Sequence, residues 1–236
     1  MNISKETKEK LKANNQKISE LLLENENLLR QEGLEVPLEN FALERDDKIT
    51  IPMGYIRSKE GLISKYHLQS IASNWVVRNN IGYALQLSDF HNFLINRFKL
   101  WGPLSAMVYK SAIVNLISIW EAMVLECANQ ICCCPSICKM NKKCKYSFNR
   151  SQRDNSFEAI KRINDLGVTS FSSKELDRIK ELVDLRNCIH IRLDKEKEMT
   201  DKNFNLRLYN EVIKLLQQTC MDLSSNATML YNHCRK

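Results

Sequence analysis

The densest chemistry in this chain lies in Leu185-Arg186-Asn187-Cys188-Ile189-His190-Ile191-Arg192. An arginine, the asparagine beside it and a histidine one helical turn further on form a set that grips a phosphate and moves a proton. The guanidinium is a planar, permanently charged fork matched to phosphate oxygens. Histidine titrates nearest neutrality of all side chains, which suits it to general acid or base work. On a helix, positions i and i+4 lie about 40° apart, so Arg186 and His190 share a face and reach one phosphate.

The element that must position them is announced by Ser172-Ser173-Lys174-Glu175, a capping box that opens a helix. On a helical wheel, residues 176–193 fall into three sectors. Leu182, Leu185, Ile189 and Leu193 make an apolar stripe. Asp177, Lys180, Glu181, Asp184 and Arg192 make a solvated face. The third sector begins with Leu176, Ile179 and Val183 and runs directly into Arg186, Asn187 and His190. One stripe packs the domain, and the other requires a second surface, either a symmetry mate or a neighbouring helix. The ordinary reading of an arginine and a histidine one turn apart is a polar cover over an apolar seam. Their place at the end of an apolar stripe, away from the charged face, favours a site.

The rest of the pattern is helical. Residues 4–31 read as a charged amphipathic helix with Leu11, Ile18, Leu21, Leu22, Leu28 and Leu29 on a narrow seam that also carries Asn14 and Asn25. The plainer reading is a helix docked on the domain or on a partner; an autonomous coiled coil is the alternative, and the two asparagines on the seam speak against a long one. Residues 32–57, with Gly33, Pro37, Pro52 and Gly54, read as a linker with one short strand. Helix resumes at Ser58 and is weakly broken around Asn79-Asn80-Ile81-Gly82, with a further helix over 83–101. Gly102-Pro103 opens a helix over 103–131, because proline suits the first turn. It is apolar nearly all round, as a central buried helix should be, except for a polar stripe of Ser111, Asn115, Ser118 and Glu121. A short helix over 154–166 ends at Gly167, and a last one over 202–232 closes the domain. The expected organisation is an N-terminal helix and linker over 1–57, then a helical domain over 58–236 with an insertion rich in Cys and Lys at about 127–153.

Composition bounds the class. With 236 residues, 44% hydrophobic and 27% charged, the chain can bury a sizeable core, and 6 Gly and 4 Pro argue against a turn-rich β protein. The start, Met1-Asn2-Ile3-Ser4-Lys5, lacks the apolar core of a signal peptide. The longest apolar stretch, Ser111 to Trp120, is short and interrupted by Asn115, which argues against a bilayer span. The expected compartment is cytoplasmic, with no membrane partner and mostly reduced cysteines.

The net charge of +7 is concentrated in one segment. Between Cys127 and Arg153 stand Lys139, Lys142, Lys143, Lys145, Arg150 and Arg153, with no acid among them. With Tyr146 and Phe148 interleaved, this run suits a nucleic-acid backbone with bases stacked on the rings; a solvated charged loop is the plainer reading. Cys132, Cys134, Cys138 and Cys144 offer four thiolates to zinc, with Cys127 a turn upstream as a spare. The irregular spacing equally fits reduced cysteines in a helix connection. His67 and His91 lie on earlier helices with no nucleophile or ligand pattern nearby, and no Gly-rich phosphate loop, paired catalytic carboxylates or serine elbow is present.

Leu-Arg-Asn-x-Ile-His near the end of the penultimate helix resembles the signature of HEPN domains, as does the long apolar helix running from Tyr109 to Ala122. The resemblance covers roughly residues 83–232. It implies an all-α, HEPN-like helical bundle that dimerises and places two copies of the motif across a shared cleft. It further implies a metal-independent endoribonuclease of the toxin or antiviral-defence kind, with an antitoxin or regulatory protein as a further partner. By that resemblance Arg186 holds the scissile phosphate, His190 is acid or base, Asn187 positions them, and Glu121 is the supporting acid on the second helix. Three residues separate arginine from histidine here, where the family usually has four to six. Arg192 stands where members paired with a nucleotidyltransferase antidote have tyrosine, which points away from that pairing. The expected substrate is single-stranded RNA or tRNA loops, contacted by Lys139, Lys142, Lys143, Lys145, Tyr146, Arg150 and Arg192, with no cofactor unless the cysteines hold zinc. The rival readings are a non-catalytic helical interaction module and an RNA-binding protein that keeps the fold.

Overall fold

The computed structural model describes residues 3–33, 44, 47–131, 148–187 and 204–231. The chain divides into two units, Met1–Thr50 and Ile51–Lys236. Among the described residues the regular structure is helical, with no strand.

The first unit is built on one helix, α1 (Lys5–Gln31). Ser4 caps it by accepting a hydrogen bond from the Thr7 amide at 3.1 Å, which satisfies one of the donors a helix start leaves open. None of its residues is buried, and Leu21 is 59% exposed.

The second unit holds α2 (Lys59–Lys65), α3 (Leu68–Ile71), α4 (Trp75–Arg97), α5 (Gly102–Ile131), α6 (Arg150–Asp154), α7 (Ser156–Asp165), α8 (Ser173–Asn187) and α9 (Leu206–Tyr231). As the all-round apolar pattern of 103–131 anticipates, α5 is the central element. It packs against α4, α9 and α7, and more narrowly against α8. Ile113, Leu116, Ile117, Ile119, Trp120, Met123 and Val124 are all in the core. By length and composition α5 is apolar enough to cross a membrane, but 61% of its most apolar stretch is buried inside this unit.

Several boundaries differ from the sequence expectation, each for a tertiary reason. The break at Asn79-Asn80-Ile81-Gly82 does not occur, and α4 runs through it from Trp75. Ile81 is buried there, and a Cβ on Gly82 would come within 2.7 Å of Lys59 Cγ and 3.2 Å of Ile63. That glycine serves the close approach of α2 rather than a turn. The helix expected over 154–166 is α7, which begins at Ser156 because Asn155 caps it by accepting from the Phe157 and Glu158 amides, and a separate short α6 ends just before it at Asp154. Gly167 ends α7 at φ 73°, a conformation that favours glycine.

In the linker before Ser58 a 3-10 turn, Met53–Tyr55, is formed, and no strand is present among the described residues. Arg57 fixes this stretch to α4. Its Nε and Nη2 donate to the two carboxylate oxygens of the buried Asp89 at 2.8 and 2.5 Å, and its amide donates to Asp89 Oδ2 at 3.0 Å. Burial works to raise the Asp89 pKa, but the hydrogen bonds and charge of Arg57 carry it below the usual carboxylate value. His67 is not within a helix but between α2 and α3, where it caps α3 with φ 50°.

Candidate functional site

The polar stripe on α5 faces α4 at one end and α7 and α8 at the other. At its start, His91 Nε2 lies 3.0 Å from Ser111 Oγ, and Asn115 Nδ2 donates to Ala84 O and Ser88 Oγ, both at 2.8 Å. These bonds sew α5 to α4 through polar groups that burial would otherwise penalise. At its other end Glu121 turns toward α7 and α8. Ser156, the first residue of α7, donates its hydroxyl to Glu121 Oε1 at 2.8 Å. Arg186 Nε lies 3.4 Å from Glu121 Oε2. The carboxylate is thus held by one oxygen and carries the guanidinium on the other.

Exposure differs across this pair. The Glu121 side chain is 15% exposed and that of Arg186 is 41% exposed. A mostly buried acid meets an arginine that is still part-exposed, and the planar guanidinium fork is matched to phosphate and carboxylate oxygens. The fold brings Glu121 of α5 and Arg186 of α8 together.

The helix beneath Arg186 is built largely as its sequence indicates. Ser172 and Glu175 make the reciprocal cap, with the Ser172 amide donating to Glu175 Oε2 at 2.8 Å and the Glu175 amide to Ser172 Oγ at 3.4 Å. Asp177, Lys180, Glu181 and Asp184 are exposed. Ile179 and Val183 of the second apolar stripe are buried in the core together with Leu182. Of the two surfaces open to that stripe, a symmetry mate or a neighbour, the unit's own elements supply the cover. Arg178 ties α8 to α9 through Glu211, at 2.6 and 3.1 Å, and a groove of about 290 Å³ lies alongside, lined among others by Phe171, Ile179 and Leu215.

His190, Arg192, Lys139, Lys142, Lys143, Lys145, Tyr146, Cys132, Cys134, Cys138 and Cys144 lie outside the described residues, as do the side chains of Asn187 and Arg150. One reading of the basic segment is corrected at its border. Phe148 is no stacking platform for bases. It is 3% exposed, packed in the core, while its carbonyl accepts two hydrogen bonds from the Arg153 guanidinium. Cys127, the spare thiolate, is buried within α5. Among the described residues no group of three or more His, Cys, Asp or Glu is arranged to hold a metal ion.

Nothing in the sequence marks Ser156. Asn155 before it is a legible cap, but that the Ser156 hydroxyl meets Glu121 follows from the packing of α7 on α5. The buried bond from Trp120 Nε1 to Thr219 Oγ1 at 2.9 Å, one residue from Glu121, was equally hidden. It fixes the α5 backbone that carries the acid against α9. Comparison of the chain with family models, with curated proteins and with solved structures finds no match.

Proposed function

We propose that the second unit is a HEPN-type, metal-independent endoribonuclease that cleaves single-stranded RNA or tRNA loops as a homodimer. The observation that carries this reading is the Glu121–Arg186 pair, in which Ser156 and Glu121 hold a part-exposed guanidinium at the end of α8. A phosphate has reason to dock there, and the motif continues toward His190.

In the proposed reaction the substrate's own 2′-oxygen attacks the adjacent phosphorus. As the 2′-O–P bond forms and the P–O5′ bond breaks, His190 takes the 2′ proton or supplies one to the leaving 5′ oxygen. Arg186 offsets the charge that builds on the phosphoryl oxygens. The products are a 2′,3′-cyclic phosphate and a 5′-hydroxyl.

The test is cleavage of total RNA and tRNA in EDTA by the full chain beside His190→Ala, Arg186→Ala and Glu121→Gln, each matched to wild type by circular dichroism. Loss of a general acid–base group is expected to slow cleavage by about 100-fold or more in His190→Ala. Glu121→Gln keeps an acceptor for Ser156 but loses the ion pair, so its loss should be smaller. Cleavage undiminished in His190→Ala would sink the assignment. A folded wild type that cleaves nothing would favour the interaction-module reading, which the exposed seam of α1 supports.

A further inference from the structure

The first unit presents a long helix whose apolar seam is exposed among the described residues. α1 has 27 residues and buries none of them, and spans about 40 Å. Leu11, Ile18, Leu21 and Leu28 are all exposed. They recur at spacings of seven, three and seven, the a and d positions of a heptad, and Asn14 and Asn25 take the two remaining places between Leu11 and Leu28. Leu22 and Leu29 widen the seam on one side.

The charge on α1 is sharply divided. From Lys5 to Lys17 there are five lysines against two glutamates. From Ile18 onward Glu20, Glu24, Glu26 and the C-cap Glu32 stand against Arg30 alone. This runs against the helix dipole, which favours acids at the N-terminus and bases at the C-terminus. A lone helix gains nothing from such a division. A second copy laid antiparallel does, because each basic half then lies along an acidic one, whereas a parallel copy sets like against like.

The seam agrees with the charges. In the antiparallel register that sets Ile18 against the partner's Leu21, Leu11 meets the partner's Leu28 and Asn14 meets the partner's Asn25. Every apolar layer is then apolar on both sides, and each asparagine has an amide partner for its own. The flanking g positions bring Lys17 opposite the partner's Glu24, twice by symmetry. In the parallel register Lys17 and Glu24 would instead face Leu22 and Leu29 of the partner.

We propose that α1 is an assembly helix that pairs antiparallel with α1 of a second copy of this chain. The proposal stands apart from the ribonuclease reading, whose assay depends on His190 and Arg186.

The test is sedimentation equilibrium of the full chain over a concentration series, beside Ile18→Glu/Leu21→Glu, Lys17→Glu, Glu24→Lys and the exchanged Lys17→Glu/Glu24→Lys. These residues are exposed, so the fold of the second unit is untouched, which circular dichroism checks. Wild type is expected to associate through α1, and the seam variant to lose that one association step, keeping only the pairing that the ribonuclease reading assigns to the second unit. Each single charge reversal should weaken association roughly tenfold by opposing like charges twice, and the exchange should restore it to within about twofold. A wild type that stays monomeric at tens of micromolar overturns the proposal. So does a dimer indifferent to the seam variant, which would place the interface elsewhere, and so does a seam-dependent dimer that the charge exchange fails to rescue.

Discussion

The two longest helices among the described residues are nearly equal in length and opposite in circumstance. α1 has 27 residues and no buried side chain, while α5 has 30 and supplies twelve residues to the core. Backbone hydrogen bonding is the same in both, so their difference lies in what the side chains do. Propensity alone leaves a helix of this length marginal in water, and packing of an apolar face supplies most helical stability in proteins. α5 draws that support from α4, α7 and α9. α1 has only its Ser4 cap and pairs such as Glu6–Lys10 and Gln16–Glu20, each worth a few tenths of a kcal/mol. The same element thus serves as a beam in one unit and as an unfinished surface in the other.

The comparison breaks most visibly at Trp120. This residue is 1% exposed and lies in the main core cluster. Trp120→Ala should destabilise the second unit by about 3–5 kcal/mol, read as a lower urea midpoint by circular dichroism. Leu21→Ala on α1 should leave that unfolding transition within about 0.5 kcal/mol of wild type. Equal effects at the two sites would mean that α1 is part of the cooperative core after all.

A finer cut is Thr219→Val. It keeps the shape of the side chain but takes the acceptor from Trp120 Nε1, leaving a buried N–H without its partner at a cost of about 1–3 kcal/mol. The measurement is the same urea midpoint, and a neutral result would show that another acceptor takes over. The nearby Glu121–Arg186 pair is expected to contribute less to stability than this neutral bond, since the arginine is part-exposed and solvent screening reduces such pairs to about 1 kcal/mol or less. Its value lies in position rather than in stability.

What could be read beforehand divides along the same line. Features set by local pattern were legible: the Ser172–Glu175 cap, the buried character of α5, and the exposed face of Asp177, Lys180, Glu181 and Asp184. Glu121 and Arg186 were singled out by type and by resemblance, and lie 3.4 Å apart. Features set by contact between distant segments were not legible. Gly82 looks like a helix breaker until α2 is seen against it. Phe148 looks like a base-stacking ring because basic residues surround it in sequence, yet a core vacancy claims it. Ser156 carries no signal at all, since a serine at the first turn of a helix is ordinary and only packing aims it at Glu121.

The smallest expected effect concerns His91, on the seam between α4 and α5. Burial lowers its pKa from the ordinary 6.5. Its Nε2 faces Ser111 Oγ, and Nδ1 has no hydrogen-bond partner among the described residues. In the unfolded chain this ring takes a proton near pH 6.5, and in the folded chain only at lower pH. Between those two values the unfolded state binds more protons, so stability declines as pH falls below 6.5 and levels off beneath the folded pKa. Above 6.5 both states are neutral at this ring and its contribution is constant. His91→Gln retains a polar partner for Ser111 without titrating. The variant should therefore lose less stability than wild type between pH 7 and pH 5 when urea midpoints are followed at each pH. α1 contains no histidine, so a difference in this window reports on the core seam and not on the exposed helix. Parallel pH profiles for the two proteins would show that the ring is protonated as readily folded as unfolded, and that the α4–α5 seam is wetter than its packing indicates.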